Sequence, residues 1–329
     1  MKTQPDSKEI AKLLLEGNRR ALAKAITLVE SKMAQDRVLA SEVLKAALPQ
    51  SGNSLRIGIS GIPGVGKSTF IEVFGLELIK RGHRVAVLAV DPSSPVSGGS
   101  ILGDKTRMEE LSQHPDSFIR PSPTSGNLGG VSSQTREAIY LCEANGFDIV
   151  LVETVGVGQS EYEVSSMVDL FLVLMVPGAG DELQGIKKGI IELCDILIFN
   201  KADGDLQVTA ENSKNQYEGA LSIVKKEGFW TPIVLTCSSL NKKGFHEIIT
   251  QVTKYHEQAK EKSFFVDKRQ EQKKAWLKSF FNKEIHRFVE EQDHLNTLYL
   301  KLEKDVFTGK ISTEDASKRL IQQLFKAEY

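Results

Sequence analysis

The sequence is short of the residues that staple, span or carry bulk charge, and each shortage excludes a class of protein. Only three cysteines occur in 329 residues, Cys142, Cys194 and Cys237, far apart and without a C-x-x-C pair. That excludes a disulfide framework and a thiol metal site, and it fits a reducing compartment. The six histidines are equally dispersed, so no His-rich metal store is present. The longest apolar run, Leu170 to Val176, falls far short of the roughly 20 residues that a membrane span needs. Met1 to Asp6 carry neither an apolar segment nor an Arg-rich amphipathic pattern, and the expectation is a cytoplasmic protein with no membrane partner. Charge of one sign is missing too: 42 Lys+Arg against 43 Asp+Glu leave −1. No overall field holds such a chain on a polyanion, so nucleic acid is not an expected partner.

What remains is the make-up of an ordinary globular protein, 40% hydrophobic and 26% charged. The length suggests about two domains, or one large domain with helical extensions. Three textures divide it. Residues 1–50 form an N-terminal helical extension, with Ile10, Leu13, Leu14, Leu22, Ala25, Ile26, Val29, Val38, Leu39, Val43 and Leu44 at helical spacing. Gly17 and Asn18 separate the first two helices, and Pro49 stops the third. Residues 51–255 alternate helical segments with unbroken apolar runs: Leu55–Ser60, Arg84–Val90, Asp148–Glu153, Asp169–Val176, Asp195–Asn200 and Pro232–Cys237. Such runs indicate strands covered on both faces, hence an α/β domain with a mostly parallel sheet. Ligands bind at the C-terminal edge of such a sheet. Residues 256–329 are helical, and positions 254–283 hold nine Lys/Arg against four Asp/Glu. Trp276, Leu277, Phe280, Phe281, Ile285 and Phe288 recur there at helical intervals. They fit either a helix packed on the main domain or a dimer or partner interface.

Gly61-Ile62-Pro63-Gly64-Val65-Gly66-Lys67-Ser68 fits G-x-x-x-x-G-K-[ST], after a strand and before a helix. Glycines there let backbone N–H groups converge on phosphate oxygens, and the helix N-terminus adds partial positive charge. Lys67 reaches the β- and γ-phosphates and the Ser68 hydroxyl ligates Mg²⁺, with Thr69 completing the nucleotide-binding stretch. Downstream, Asn200-Lys201-Ala202-Asp203 closes a strand. A carboxylate at Asp203 accepts from both N1–H and the exocyclic amine of guanine, a donor pair that adenine lacks. Lys201 can lie over the base, Asn200 can tie this loop to the phosphate loop, and Ser238-Ser239-Leu240 take the place of a backbone clamp on the guanine oxygen. The expected ligand is GTP or GDP.

Glu153-Thr154-Val155-Gly156 ends another strand, where the acid would hold a Mg²⁺-bound water and the Gly156 amide would meet the γ-phosphate. Asp91 ends the strand after the phosphate-loop helix, on the metal side. In the glycine-rich stretch Ser97 to Met108, Asp104 is a further metal-side acid and Arg107 an internal arginine finger. The catalytic candidates are thus Lys67, Arg107 and Glu153. The residue that positions the attacking water stays open among Glu153, Asp91 and Gln159. A second charged, glycine-bearing loop runs from Pro177 to Lys188.

Taken together, Gly61–Ser68, Asp91–Pro95, Ser97–Met108, Gly126–Gly130, Glu153–Glu161, Pro177–Lys188 and Asn200–Asp203 resemble the MeaB/ArgK-type GTPases, in the metallochaperone-like group of the SIMIBI class of P-loop proteins. The resemblance implies a GTP-hydrolysing chaperone of an adenosylcobalamin-dependent acyl-CoA mutase, chiefly methylmalonyl-CoA mutase, that gates cofactor loading and protects the mutase from inactivation. It implies slow hydrolysis that the mutase stimulates, and a homodimer through the C-terminal helices. It marks Ser97–Met108 and Pro177–Lys188 as switch loops, with Asp181, Gln184 and Lys187 coupling to the partner. Two other readings compete. A kinase or transport ATPase acting on a periplasmic amino-acid binding protein would not need the guanine reader. A nickel-insertion GTPase would need a metal-ligand cluster that the scattered Cys and His do not form.

Overall fold

The computed structural model describes residues 6–31, 33–91, 108–123, 128–154, 160–178, 192–223 and 229–324. The amphipathic lead-in folds as three helices, α1 (Ser7–Leu15), α2 (Arg19–Glu30) and α3 (Ala34–Ala47). Asp6 caps α1 by accepting from the Lys8 amide, and Asn18 caps α2 by accepting from Arg20 and Ala21. Gly17 turns the chain between them at φ +83°, a backbone that favours glycine. Ile10, Leu14, Leu22, Ala25, Ile26 and Val29 are buried on the shared faces. A short 3₁₀ turn, Leu48–Gln50, follows α3 at Pro49.

Seven strands build one sheet: β1 (Leu55–Gly61), β2 (Val85–Asp91), β3 (Ser117–Pro123), β4 (Ile149–Thr154), β5 (Leu170–Met175), β6 (Ile196–Phe199) and β7 (Ile233–Thr236). Their order is β3-β2-β4-β1-β5-β6-β7, and every neighbouring pair is parallel. The parallel sheet is the one expected, and six of its strands coincide with the apolar runs. β3 is a strand the runs do not reveal. It holds Arg120, Pro121 and Pro123, and it lies at the sheet edge, where a missing N–H does no harm.

Between these strands lie α4 (Lys67–Ile79), α5 (Glu109–Gln113), α6 (Leu128–Ala144), α7 (Ser160–Ser165) and α8 (Leu206–Ile223), and α9 (Phe245–Glu261) follows the last strand. Alternate residues of β1 serve opposite faces. Leu55, Ile57 and Ile59 join the main core with Phe70 and Phe74 of α4 and Phe245, Ile248 and Val252 of α9. On the other face Arg56 is buried in an ion pair with Glu143 of α6, Nε to Oε1 at 2.8 Å. Gly58 faces that way as well, and a Cβ there would lie 2.6 Å from Phe171.

The chain divides into two compact units, Met1–Arg269 and Gln270–Tyr329. The first runs beyond residue 255 because Tyr255, Lys268 and Arg269 all reach Asp169: the Tyr255 hydroxyl and Lys268 Nζ donate to its carbonyl oxygen at 2.7 Å, and Arg269 Nε donates to Oδ1 at 2.9 Å. Helix α10 (Phe264–Glu291) crosses the boundary, and the second unit adds α11 (Asp293–Phe307) and α12 (Thr313–Leu324), which pack on each other. Among the described residues no helix is long and apolar enough to cross a membrane.

Candidate nucleotide site

An all-parallel sheet puts every strand's C-terminal end on one edge, and the phosphate loop and the Asn200–Asp203 loop meet there. β1 lies at the centre, between β4 and β5. The chain leaves it for one side of the sheet and later returns to the other, which opens a crevice at its end. The phosphate loop fills that crevice. Gly61 must be glycine on contact grounds, since a Cβ would lie 2.6 Å from the Leu174 carbonyl oxygen. Gly66, at φ +93°, is the N-cap of α4, and no side chain caps the helix. The first-turn amides of α4, Lys67 to Thr69, are therefore left to an incoming anion.

Lys67 is buried, and its Nζ donates to Gly61 O at 2.7 Å and Ile62 O at 3.3 Å. Burial lowers its pKa, and the carboxylates of Glu153 and Glu161 oppose that shift. The ammonium thus bridges the carbonyls of its own loop. Phosphate oxygens can replace them without any change in the loop's course.

The guanine-type motif stands next to this loop. Asn200, buried, donates from Nδ2 to Val65 O at 2.9 Å, and a Cβ on Gly66 would lie 2.9 Å from that same nitrogen. Lys201, at φ +61°, donates from Nζ to Gly64 O at 2.8 Å. Two side chains of one motif therefore fasten it to the other. Oδ1 of Asn200 also accepts from Ser239 N at 3.1 Å and Ser239 Oγ at 2.8 Å. The Ala202 amide donates to Cys237 O at 2.9 Å, and the Ser238 hydroxyl donates to Asp203 Oδ2. Sequence reasoning placed Ser238 and Ser239 here as a backbone clamp. It did not foresee that their hydroxyls tie the loops after β6 and β7 together. Leu240, by contrast, is 79% exposed.

Glu153 and Thr154 end β4 beside β1, both buried, and Thr154 Oγ1 donates to Ser60 Oγ at 3.0 Å. Asp91 ends β2, paired with Pro123 of β3, and only its backbone is described. Asp104, Arg107, Gly156, Gln159, Asp181, Gln184 and Lys187 lie outside the described residues. Of the loop from Pro177 to Lys188 only the first two residues are described, and Gly178 N donates to Ser213 Oγ of α8 at 3.3 Å. Among the described residues no three His, Cys, Asp or Glu side chains gather as a metal-binding group.

Glu161, in the first turn of α7, is the acid that sequence reasoning passed over. First-turn acids usually serve the helix dipole from the surface. This one is 2% exposed. The signal that locates it is the apolar remainder of its segment, Val164, Met167 and Val168, all buried.

This geometry agrees with the relatives. Residues 22–294 match the family described as "Methylmalonyl Co-A mutase-associated GTPase MeaB". The chain belongs to this family. A "Putative GTPase" of Caulobacter vibrioides is 50% identical over 309 residues, 94% of each chain. "GTPase ArgK" of Escherichia coli is 48% identical over 286 residues, 86% of each chain. The "Methylmalonic aciduria type A homolog, mitochondrial" of Mus musculus is 44% identical over 327 residues, 96% of this chain and 79% of that one. Among solved structures, one described as "LAO/AO transport system kinase" superposes with a TM-score of 0.76 at 36% identity, covering 97% of both chains. As a MeaB-family member the chain is a P-loop GTPase, and guanine nucleotide is its ligand class.

Proposed function

We propose that the protein is a magnesium-dependent GTPase that binds an adenosylcobalamin-dependent acyl-CoA mutase, chiefly methylmalonyl-CoA mutase, gates its cofactor loading and protects it from inactivation. One observation carries the nucleotide half: the Asn200–Asp203 loop is fastened to the phosphate loop through Val65 and Gly64. A base held at Asp203 is thereby held in register with phosphates at Lys67 and the α4 N-terminus. The mutase half rests on the family's printed description and on the mouse relative's name.

In this reading Gly61–Thr69, Gly156, Asn200, Lys201, Asp203 and Ser238–Leu240 bind the nucleotide. Lys67 and Arg107 stabilise the charge that develops at the γ-phosphate, and Glu153 acts through a Mg²⁺-bound water. Ser68, Asp91, Asp104 and Glu153 serve Mg²⁺. The donor set fits the ion, since the Ser68 hydroxyl lies in the first turn of α4, Glu153 stands one residue before the end of β4, and a buried acceptor, Glu161 Oε2, has no hydrogen-bond partner among the described residues. When bound, the ion would neutralise charge on the phosphates. Asp181, Gln184 and Lys187 sense the mutase. Residues 1–50 act as a helical extension of the GTPase core at 51–255, and 256–329 act as a homodimerisation arm. The setting is cytoplasmic, without nucleic acid or membrane as partner.

The deciding experiment is a pull-down of purified methylmalonyl-CoA mutase with and without a non-hydrolysable GTP analogue, joined to GTP and ATP turnover assays. Nucleotide-dependent capture, slow GTP hydrolysis that rises with mutase, and little ATP turnover are expected. Equal turnover of ATP and GTP overturns the guanine assignment. Mutase that is neither captured nor able to change the GTPase rate overturns the partner assignment.

A further inference from the structure

Glu161 is a buried charge that the reading above uses only as an open acceptor. It is 2% exposed, and its Oε2 has no hydrogen-bond partner among the described residues. A buried carboxylate oxygen left without a donor is costly. A protein that keeps one beside its phosphate loop has a use for it when that loop is filled.

The neighbours narrow the use. Glu161 acts on Lys67 electrostatically, but Lys67 Nζ already donates to Gly61 O and Ile62 O. Glu153, the other acid that acts on Lys67, has interactions of its own. Nucleotide phosphate oxygens are acceptors and carry negative charge, so a bare triphosphate offers Glu161 only repulsion. A donor that enters together with the phosphates and reverses that repulsion must be cationic or cation-bound. A water of hydrated Mg²⁺ meets both conditions, because the ion keeps several waters when phosphates bind it.

We propose that Glu161 is the positioning residue that makes nucleotide binding depend on magnesium, its buried carboxylate opposing a metal-free triphosphate and accepting a hydrogen bond from a metal-bound water. The proposal deepens the GTPase reading and rests on it. Glu161 sets which form of the nucleotide is admitted; transition-state charge remains with Lys67 and Arg107, and Glu153 keeps its place at the Mg²⁺-bound water.

The test is equilibrium binding of a fluorescent GTP analogue, with excess Mg²⁺ and separately with EDTA, to wild type and to Glu161→Gln. Glu161→Gln keeps the shape and removes the charge. In EDTA it is expected to bind the analogue about ten-fold tighter than wild type, the change that one charged interaction of about 1.4 kcal/mol makes. The ratio of the EDTA to the Mg²⁺ dissociation constant should fall by about the same factor or more. A folded Glu161→Gln protein with the wild-type ratio overturns the proposal, because a merely structural glutamate would alter melting and not magnesium linkage. If Glu161→Gln does not fold, Glu161→Asp decides. It keeps the charge and shortens the reach, so weak EDTA binding should persist while part of the Mg²⁺ gain is lost; an unchanged gain overturns the proposal. A fluorescent ATP analogue run in parallel separates the two readings: wild type that prefers ATP defeats the GTPase reading, whatever Glu161 does.

Discussion

The side chain of Asn200 joins three segments that are distant in sequence: it donates to Val65 and accepts from both the amide and the hydroxyl of Ser239. Asn200→Ala leaves those groups buried without their partner, at about 1–3 kcal/mol. It is expected to lower both the melting temperature and the GTP affinity. Asp203→Ala should separate the two effects. Asp203 reaches its own framework through the Ser238 hydroxyl, so stability should change little. GTP affinity should fall by about 10- to 100-fold, as for a hydrogen-bonded charge, with ATP affinity unchanged in fluorescence titration. Cys237 supplies a pH signature beside the same loop. Burial, and after it the Asp203 carboxylate, push its thiol up to about 12 against a hydrogen bond with Ser239. Below pH 9 the thiol is neutral in both states. Between about 9 and 12 only the unfolded chain ionises, so stability falls as pH rises, by up to about 1.4 kcal/mol per pH unit. The urea midpoint should therefore drop between pH 8 and 10.5, and Cys237→Ala should flatten that slope; equal slopes sink the assignment. The motif Asn200–Asp203 was legible in sequence because strand-end placement gives it meaning. The partnership with Ser239 was not, because it depends on how far β6 and β7 extend beside each other.

Element boundaries show what apolar runs can and cannot locate. Strands covered on both faces read as runs, and so β1, β2, β4, β5, β6 and β7 stood out. β3 did not, since Arg120 and two prolines interrupt it. The apolar runs place three aspartates, Asp148, Asp169 and Asp195, at the heads of strands. Each sits one residue before its strand and caps the next one: Asp148 Oδ1 accepts from Arg84 N at 2.7 Å, Asp169 Oδ2 from Arg56 N at 2.8 Å, and Asp195 Oδ2 from Phe171 N at 2.9 Å. Asp169 goes further, holding the start of α10 through Arg269, whose NH2 also donates to Ser54 O at 2.6 Å. The Asp169 side chain is 0% exposed and that of Arg269 15%. Removing one member of so buried a pair strands the other, at about 3–5 kcal/mol. Arg269→Ala should lower the urea midpoint accordingly, and Arg269→Lys should not restore it, because a single ammonium cannot reproduce the guanidinium's fork of donors. Full rescue by lysine would show that charge alone, without the fork, fastens the helix.

At the scale of the whole molecule, the sequence motifs and textures predict a GTPase core with helices at both ends but leave the aromatic helix open between core packing and an interface. The structure divides those residues. Trp276 is buried, whereas Leu277, Phe281, Ile285 and Phe288 are exposed, at 73%, 63%, 38% and 45%. Their spacing of four, four and three places them along one side of α10. That side is the feature on which the proposed dimer rests. Aspartate at two exposed positions disturbs little within the fold, since surface substitutions usually stay within about 0.5 kcal/mol. It does oppose a contact that buries the same stripe, where an unpaired charge is costly. The double variant Leu277→Asp, Phe281→Asp should therefore stay folded and keep the wild-type GTP affinity while sedimenting as a monomer beside a dimeric wild type. Salt separates this from the alternative that the lysine-rich surroundings of α10 make the contact. Apolar burial is not weakened by 1 M salt, whereas exposed ion pairs are screened within about 3 Å there. A wild-type dimer that persists at 1 M salt and is lost in the aspartate variant identifies the stripe as the interface. A dimer dissolved by salt assigns it to the charges, and a monomeric wild type defeats the dimerisation arm altogether.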